Sequence, residues 1–238
     1  MMGALACRPD RIGKNMNLTQ AVQSRRSVRA FTPKPVDGHL LREVLSLAAR
    51  APSGGNVQPW RLYVLGGEAL EQLKIRMRAR LTEQPLLDPS EYEIYPANLW
   101  EPHRSERFKV GEDMYALLGA ERGDKVGRMR QFQKNFEFFG APAALFCYVD
   151  QRMGPPQWSD LGMYLQTLML LLRERGLDSC AQECWSVYPK TVASYIEPDD
   201  GLMLFCGMSI GYADDSAAVN QLRTRRLPLD EFARFNGI

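Results

Sequence analysis

Apolar and polar positions along this chain repeat with two different periods, and the changes of period mark out the elements. Leu40, Leu41, Val44, Leu45, Leu47 and Ala48 share one helical stripe with Arg42, Glu43 and Ser46 outside it, and Asp37 stands at the N-cap position. A shorter helix is expected just before it, from about Asn17 to Arg25, capped by Asn17 or Thr19. Arg61 to Leu65 reads as a strand, and Glu68 to Leu81 as a helix carrying Leu70, Leu73, Ile75 and Met77 inward. From Thr82 to Phe108 no period survives, which predicts a long irregular excursion, and helical character returns at Glu112 to Arg122 and at Asp124 to Phe139.

The second half is more strongly patterned. Ala143 to Val149 is almost continuously apolar, as a strand covered on both faces must be. Trp158 to Arg175 predicts the longest helix, with Leu161, Leu165, Leu168, Met169, Leu171 and Leu172 on its inner face and Gly176 ending it. Leu177 to Gln182 and Leu202 to Ile210 read as strands flanking a helix from Tyr188 to Ile196, and Gly211 opens an extended tail. About four strands and about seven helices, mixed without regular βαβ alternation, predict an α+β fold in which helices cover a small mixed or antiparallel central sheet.

With 238 residues, 45% of them hydrophobic and 24% charged, the chain is long enough to bury one large core. A single domain is expected over residues 17–238, with a loose arm over residues 1–16 and an inserted lid or channel wall at about 82–135. The net charge of +2 gives no general attraction to nucleic acid or to an anionic membrane. Five scattered cysteines suggest free thiols in a reducing compartment. The N-terminus lacks the apolar core of a signal peptide and no run is long enough to span a bilayer, so the expected location is cytoplasmic. His39 and His103 have no cluster of ligands around them, and no metal is expected.

Three stretches carry candidate chemistry. Arg50 to Trp60 joins helix to strand through Pro52, Ser53, Gly54, Gly55, Asn56, Gln58 and Pro59. Short hydrogen-bonding groups on a stiffened turn suit the edge of a planar polar heterocycle, although an ordinary connection uses the same residue types. Arg25, Arg26, Ser27 and Arg29 form a basic knot at a helix end, and Arg223, Arg225 and Arg226 form a second one in the tail. Each is either a solvated basic turn or a phosphate site, and if the two converge they make one clamp. No glycine-rich nucleotide fingerprint of the Rossmann or Walker type is present.

Taken in order, Arg25-Arg26-Ser27-Val28-Arg29, then Pro52-Ser53-Gly54-Gly55-Asn56 with Gln58-Pro59-Trp60, then Gly176-Leu177-Asp178 followed by Glu183 and Trp185, then Gly207-Met208-Ser209-Ile210-Gly211-Tyr212 and Arg226-Leu227-Pro228-Leu229, the motifs resemble those of the FMN-dependent nitroreductase family. The resemblance extends from about Leu18 to Phe232. It implies an intertwined homodimer with FMN at the subunit interface, NADPH or NADH as hydride donor, and a small nitroaromatic or quinone-like acceptor reduced in a ping-pong cycle. By position it implies that Arg25, Ser27 and Arg226 hold the ribityl phosphate together with Arg26 and, less directly, Arg223 and Arg225. It implies further that Arg29 tunes the flavin ring, that Pro52, Ser53, Gly54, Asn56 and Gln58 contribute from the partner subunit, and that Glu183 and Cys184 run beside flavin N5. No side chain is implied as a catalytic acid or base. Reductive dehalogenation or enone reduction on the same fold, or flavin binding without turnover, are the alternatives.

Overall fold

A computed structural model describes residues 16–84 and 86–238. Apart from Met16, the arm expected at the N-terminus, with Cys7, lies outside the described residues. The short first helix α1 (Leu18–Ser24) is closed by a reciprocal pair, in which Gln20 N donates to the Asn17 side chain and Asn17 N to the Gln20 side chain, at 2.9 Å each. Helix α2 (Gly38–Ala48) starts at Asp37, whose carboxylate accepts from His39 N at 2.8 Å. Strand β1 (Arg61–Gly66), helix α3 (Gly67–Glu83), strand β2 (Ala143–Asp150), helix α6 (Pro155–Glu174), strand β3 (Asp178–Gln182), helix α7 (Pro189–Ile196) and strand β4 (Leu202–Gly211) follow the expected order.

The four strands form one antiparallel sheet in the order β1-β2-β4-β3. Because successive side chains of a strand point to opposite faces, the apolar run of β2 serves two cores at once. Ala143, Leu145, Cys147 and Val149 meet α2 and α6 on one face, while Ala144, Phe146 and Tyr148 meet α3, Trp185 and α7 on the other. The ladder shifts register between Cys147 and Tyr148, which pair with Cys206 and Leu204, so Phe205 is left as a bulge. Parity along β4 flips there: Cys206, Met208 and Ile210 join the core of Met203, whereas Leu204 joins the opposite one. Trp185 lies flat on Phe138 at 4.6 Å, edge-on to Phe136 and Phe146, and passes so close to Gly207 that an added Cβ would come within 2.4 Å of the indole. Only glycine fits beneath that ring.

The structure corrects the expected elements in the excursion. The irregular stretch ends earlier than expected, because helix α4 spans His103–Leu117 rather than Glu112 to Arg122. Its first half has no apolar period to announce it. It is held by local ion pairs, Arg104 with Glu101 at 2.8 Å and Lys109 with Asp113 at 3.1 Å, and it ends where Gly119 takes φ +65°. The helix expected through Phe139 stops at Gln133 as α5 (Lys125–Gln133). A 3-10 turn follows in which Phe138 and Phe139 adopt left-handed backbone, φ +49° and +55°, and drive both rings into the core. Ile75 and Leu47, expected inside, are 49% and 45% exposed. Ile75 lies about 200° around α3 from Leu73, off the stripe made by Leu70, Leu73 and Met77. The tail ends in a single turn, α8 (Leu229–Phe232). Among the described residues no helix is long and apolar enough to cross a membrane.

Candidate functional site

The basic knot is extended where it leaves α1, with Arg25 at ψ 126°. Val28 is fully buried and its N–H donates to Ser179 O of β3 at 3.1 Å, which fixes the segment against the sheet and leaves its polar neighbours half-exposed. Asn220, 1% exposed, ties this segment to the tail. Its side-chain oxygen accepts from Arg29 N at 2.8 Å, and its amide donates to Ala30 O at 2.8 Å and Asp214 O at 2.9 Å. The two basic clusters therefore converge. Arg25, Arg26, Ser27 and Arg29 with Arg223, Thr224 and Arg226 line one cavity of about 380 Å³.

Like charges are compressed in it. Burial and then the Arg226 guanidinium lower the Arg25 pKa below its ordinary value, and burial and then Arg26 do the same for Arg223. Arg26 pairs with Asp215 at 3.0 Å, but its Nε is buried without a hydrogen-bond partner among the described residues. Arg226 Nη1 donates to Thr224 Oγ1 at 2.7 Å. Arg225 is the exception among the tail arginines: it turns away to pair with Glu106 of α4 and does not line the cavity. Several arginines lining one space suit a multiply charged oxyanion.

A second cavity of about 710 Å³ opens on the other side of Arg29, which lines both. Its floor is Cys180, Gln182, Glu183 and Cys184 at the end of β3, and its walls come from Tyr92, Tyr95 and Arg107 of the excursion and from Phe132. Gln182 is locked from both ends, accepting from Ser209 Oγ at 2.6 Å and donating to Asn135 O at 2.8 Å. Burial raises the Glu183 pKa, and burial and the neighbouring thiol raise that of Cys184. Burial also raises Cys180, outweighing the opposing pull of Arg29 and Ser27. Both thiols are thus kept protonated at neutral pH, which removes them as nucleophiles.

The loop after α2 goes elsewhere within one chain. Gly54 N donates to the buried Asp160 carboxylate of α6 at 3.3 Å, Gln58 N donates to Ser53 Oγ at 3.0 Å, and the Gln58 amide donates to Asn56 O at 3.2 Å. Gly55, Asn56 and Gln58 take positive φ, +56°, +58° and +48°. Gly54 does not, and an added Cβ there would meet nothing within 4 Å, so its lack of a side chain is not required by this chain's own packing. Pro52, Ser53, Gly54, Asn56 and Gln58 line neither cavity of their own chain. The roles of Asn220, Gln182 and Asp160 were not visible in the sequence, because a single amide or carboxylate in a mixed stretch gives no periodic or motif signal. Arg107 was hidden by the charged, unpatterned start of α4.

Comparison with known proteins agrees with this geometry. The family model described as Nitroreductase family matches residues 22–212. The 4-nitrobenzoate reductase of Pseudomonas putida is 38% identical over 216 residues, 91% of this chain and 94% of the relative. The chloronitrobenzene nitroreductase of Comamonas testosteroni is 35% identical over 90% of this chain and 94% of its own length. Among solved structures, the FMN and NADPH-dependent nitroreductase NfnB from sphigopyxis sp. strain HMH superposes with a TM-score of 0.90 at 47% identity, covering 94% of this chain and 100% of that one. The FMN-dependent nitroreductase NfnB from Mycobacterium smegmatis, solved in complex with NADPH, gives a TM-score of 0.85 at 33% identity, covering 92% and 100%. With the family model spanning both the basic knot and the four strands, and relatives aligned over nearly their whole length, the chain belongs to the nitroreductase family.

Proposed function

We propose that this protein is an FMN-dependent oxidoreductase that accepts hydride from NADPH or NADH and reduces nitroaromatic acceptors. The observation that carries the reading is the pair of cavities joined at Arg29: an arginine-lined one of about 380 Å³ and an aromatic-walled one of about 710 Å³, a layout suited to a molecule with a phosphate at one end and a planar ring at the other. The repulsion between Arg25 and Arg226 is relieved by a dianion in the first cavity. Each charge-assisted bond made there contributes about 1.5–3 kcal/mol where water is excluded.

When bound, FMN supplies the hydride chemistry, and the protein supplies position and charge. Arg25, Ser27 and Arg226 hold the phosphate, with Arg26 and Arg223 completing the cradle. Arg29, at the junction, sets a fixed positive charge beside the ring end, where it offsets negative charge arriving with the hydride. The backbone at Glu183 and Cys184 forms the floor, and Tyr92, Tyr95 and Phe132 offer aromatic surface against which a flat acceptor can stack. Both thiols stay protonated at neutral pH, and the Glu183 carboxylate has no hydrogen-bond or ion-pair partner among the described residues, so no side chain is assigned the part of general base. The protein acts as a homodimer in this reading, with Pro52, Ser53, Gly54, Asn56 and Gln58 reaching the ring from a second copy. Their exposure outside both cavities of their own chain supports that assignment.

The test is the visible spectrum of the purified protein under anaerobic conditions. A yellow protein that bleaches with NADPH and regains colour with a nitroarene is the expected result; a colourless protein that takes up no FMN refutes the reading. Arg25→Ala and Arg226→Ala are expected to lose FMN on gel filtration before turnover per bound FMN falls, and full retention in both overturns the phosphate assignment.

A further inference from the structure

Helix α4 carries its positive charges in two different ways. Arg104 pairs with Glu101, Lys109 with Asp113, and Glu106 of the same helix receives Arg225 from the tail. Arg107, in the middle of that series, has no carboxylate partner among the described residues, and its guanidinium carbon lies 4.0 Å over the centre of the Tyr95 ring. Both residues line the larger cavity. A guanidinium stacked on an aromatic face keeps its in-plane N–H donors free while losing much of its rotational freedom. It is therefore a preset receptor for a planar oxyanion. The other charged groups on this cavity are Arg29 at its junction with the arginine-lined space, Glu93 on the same wall, and Glu183 on the floor, and neither carboxylate forms an ion pair with Arg107.

We propose that Arg107, held by Tyr95, is a specificity residue that binds a carboxylate carried on the ring of the acceptor, so that the preferred substrates are anionic nitroarenes of the nitrobenzoate type. The inference rests on the reading of the larger cavity as the acceptor site. A substituent attached directly to a stacked ring reaches the wall of the ring's own cavity, and the carboxylate's two oxygens match two N–H donors of the fork. The phosphates of a nicotinamide dinucleotide are the other source of oxyanion, and in a ping-pong cycle the two separate cleanly. The kcat/KM for acceptor reports only the half-reaction with acceptor, and that for NADPH only the half-reaction with nucleotide.

Arg107→Gln is compared with the parent protein, using 4-nitrobenzoate and nitrobenzene as acceptors and NADPH and NADH as donors. The expected result is that the preference in kcat/KM for 4-nitrobenzoate over nitrobenzene falls about tenfold, the loss of one partly exposed charge-assisted contact, while kcat/KM for NADPH and for NADH does not move. Equilibrium binding by calorimetry supplies a readout apart from turnover: the affinity of the FMN-loaded protein for benzoate, relative to benzamide, falls by the same factor. Tyr95→Leu is expected to lower the acceptor preference less, since the charge remains and only its placement is lost. An acceptor preference that stays put overturns the proposal. So does a fall confined to kcat/KM for one or both nucleotides, which would give Arg107 to the dinucleotide. Absence of FMN from the parent protein would sink the flavin reading instead, a failure visible in the spectrum before any acceptor is added.

Discussion

Strand β2 and helix α4 hold their places by opposite means. β2 buries seven of its eight residues and feeds a core on each face; α4 buries none of its fifteen and is fastened by ion pairs at its rim. Burial of an apolar side chain stabilises by about 1.5–3 kcal/mol, whereas an exposed ion pair contributes about 0–1 kcal/mol. The arginine-lined cavity is built against the first kind of structure and the aromatic-walled cavity partly on the second. In the function proposed above, cofactor binding is thus rooted in the buried part of the molecule and choice of acceptor in its exposed part.

The comparison is broken most severely at Trp185, which is fully buried among Phe136, Phe138 and Phe146 behind the floor of the larger cavity. Trp185→Ala is expected to cost about 3–5 kcal/mol, read as a fall in the denaturant midpoint. A cost under about 1 kcal/mol would mean that the aromatic cluster closes up and is no keystone.

A smaller effect is expected at Asp88, where the start of the irregular excursion meets α7. Its carboxylate accepts from Thr191 N at 2.8 Å and Thr191 Oγ1 at 3.0 Å and pairs with Arg80 at 3.0 Å. Burial raises the Asp88 pKa, but the bonds from Thr191 and then Arg80 outweigh it and leave the pKa lowered. A carboxyl lowered in the folded state contributes stability that is complete above its unfolded value, near 3.8, and is lost as pH falls through the lower folded value. Protection of the amides at residues 86–102, taken as the intrinsic exchange rate over the observed one at each pH, should therefore be high at neutral pH and fall below about pH 4. Asp88→Asn should speed exchange at neutral pH by weakening the latch by about 1.5 kcal/mol and should flatten the acid dependence. An unchanged profile would show that this segment is held by something else. Smallest of all is Arg225→Ala, which removes an exposed pair with Glu106 and is expected to move the unfolding midpoint by less than about 0.5 kcal/mol and leave FMN content alone. Loss of FMN in that variant would return Arg225 to the phosphate cavity.

How far the chain could be read before folding follows the same division. The core half announces itself, because double-sided burial requires an unbroken apolar run at 143–149 and a helix buried along one side requires the Leu161 to Leu172 stripe. The cap at Asp37 is local chemistry and was equally plain, and Asn17 was one of two candidates for the cap of α1, the other being Thr19. Helix α4 was not, since ion pairs spaced three and four apart leave no apolar trace. The turn after Gln133 was missed because two phenylalanines in left-handed backbone contradict every local preference and are held there by tertiary contacts, Phe138 stacked on Trp185 and Phe139 O accepting from Phe31 N at 3.2 Å. The two arginine clusters were legible as clusters, but their meeting depends on Asn220, which bonds across 191 residues to Arg29, and no spacing rule reaches that far.

The bulge at Phe205 has a bearing on how such enzymes diversify. By stepping out of register it frees backbone groups of β4 that an unbroken ladder would use, and the irregular excursion takes them: the Tyr92 hydroxyl donates to Phe205 O, and the Glu91 carboxylate accepts from Leu204 N at 3.1 Å. The bulge is a socket, and residues 91 and 92 are the plug. Everything from there to the buried Gln131 of α5 can be lengthened, shortened or exchanged without disturbing a strand pairing. A chimera joined at those two points would test whether acceptor choice travels with the inserted segment while the sheet and its arginines stay behind.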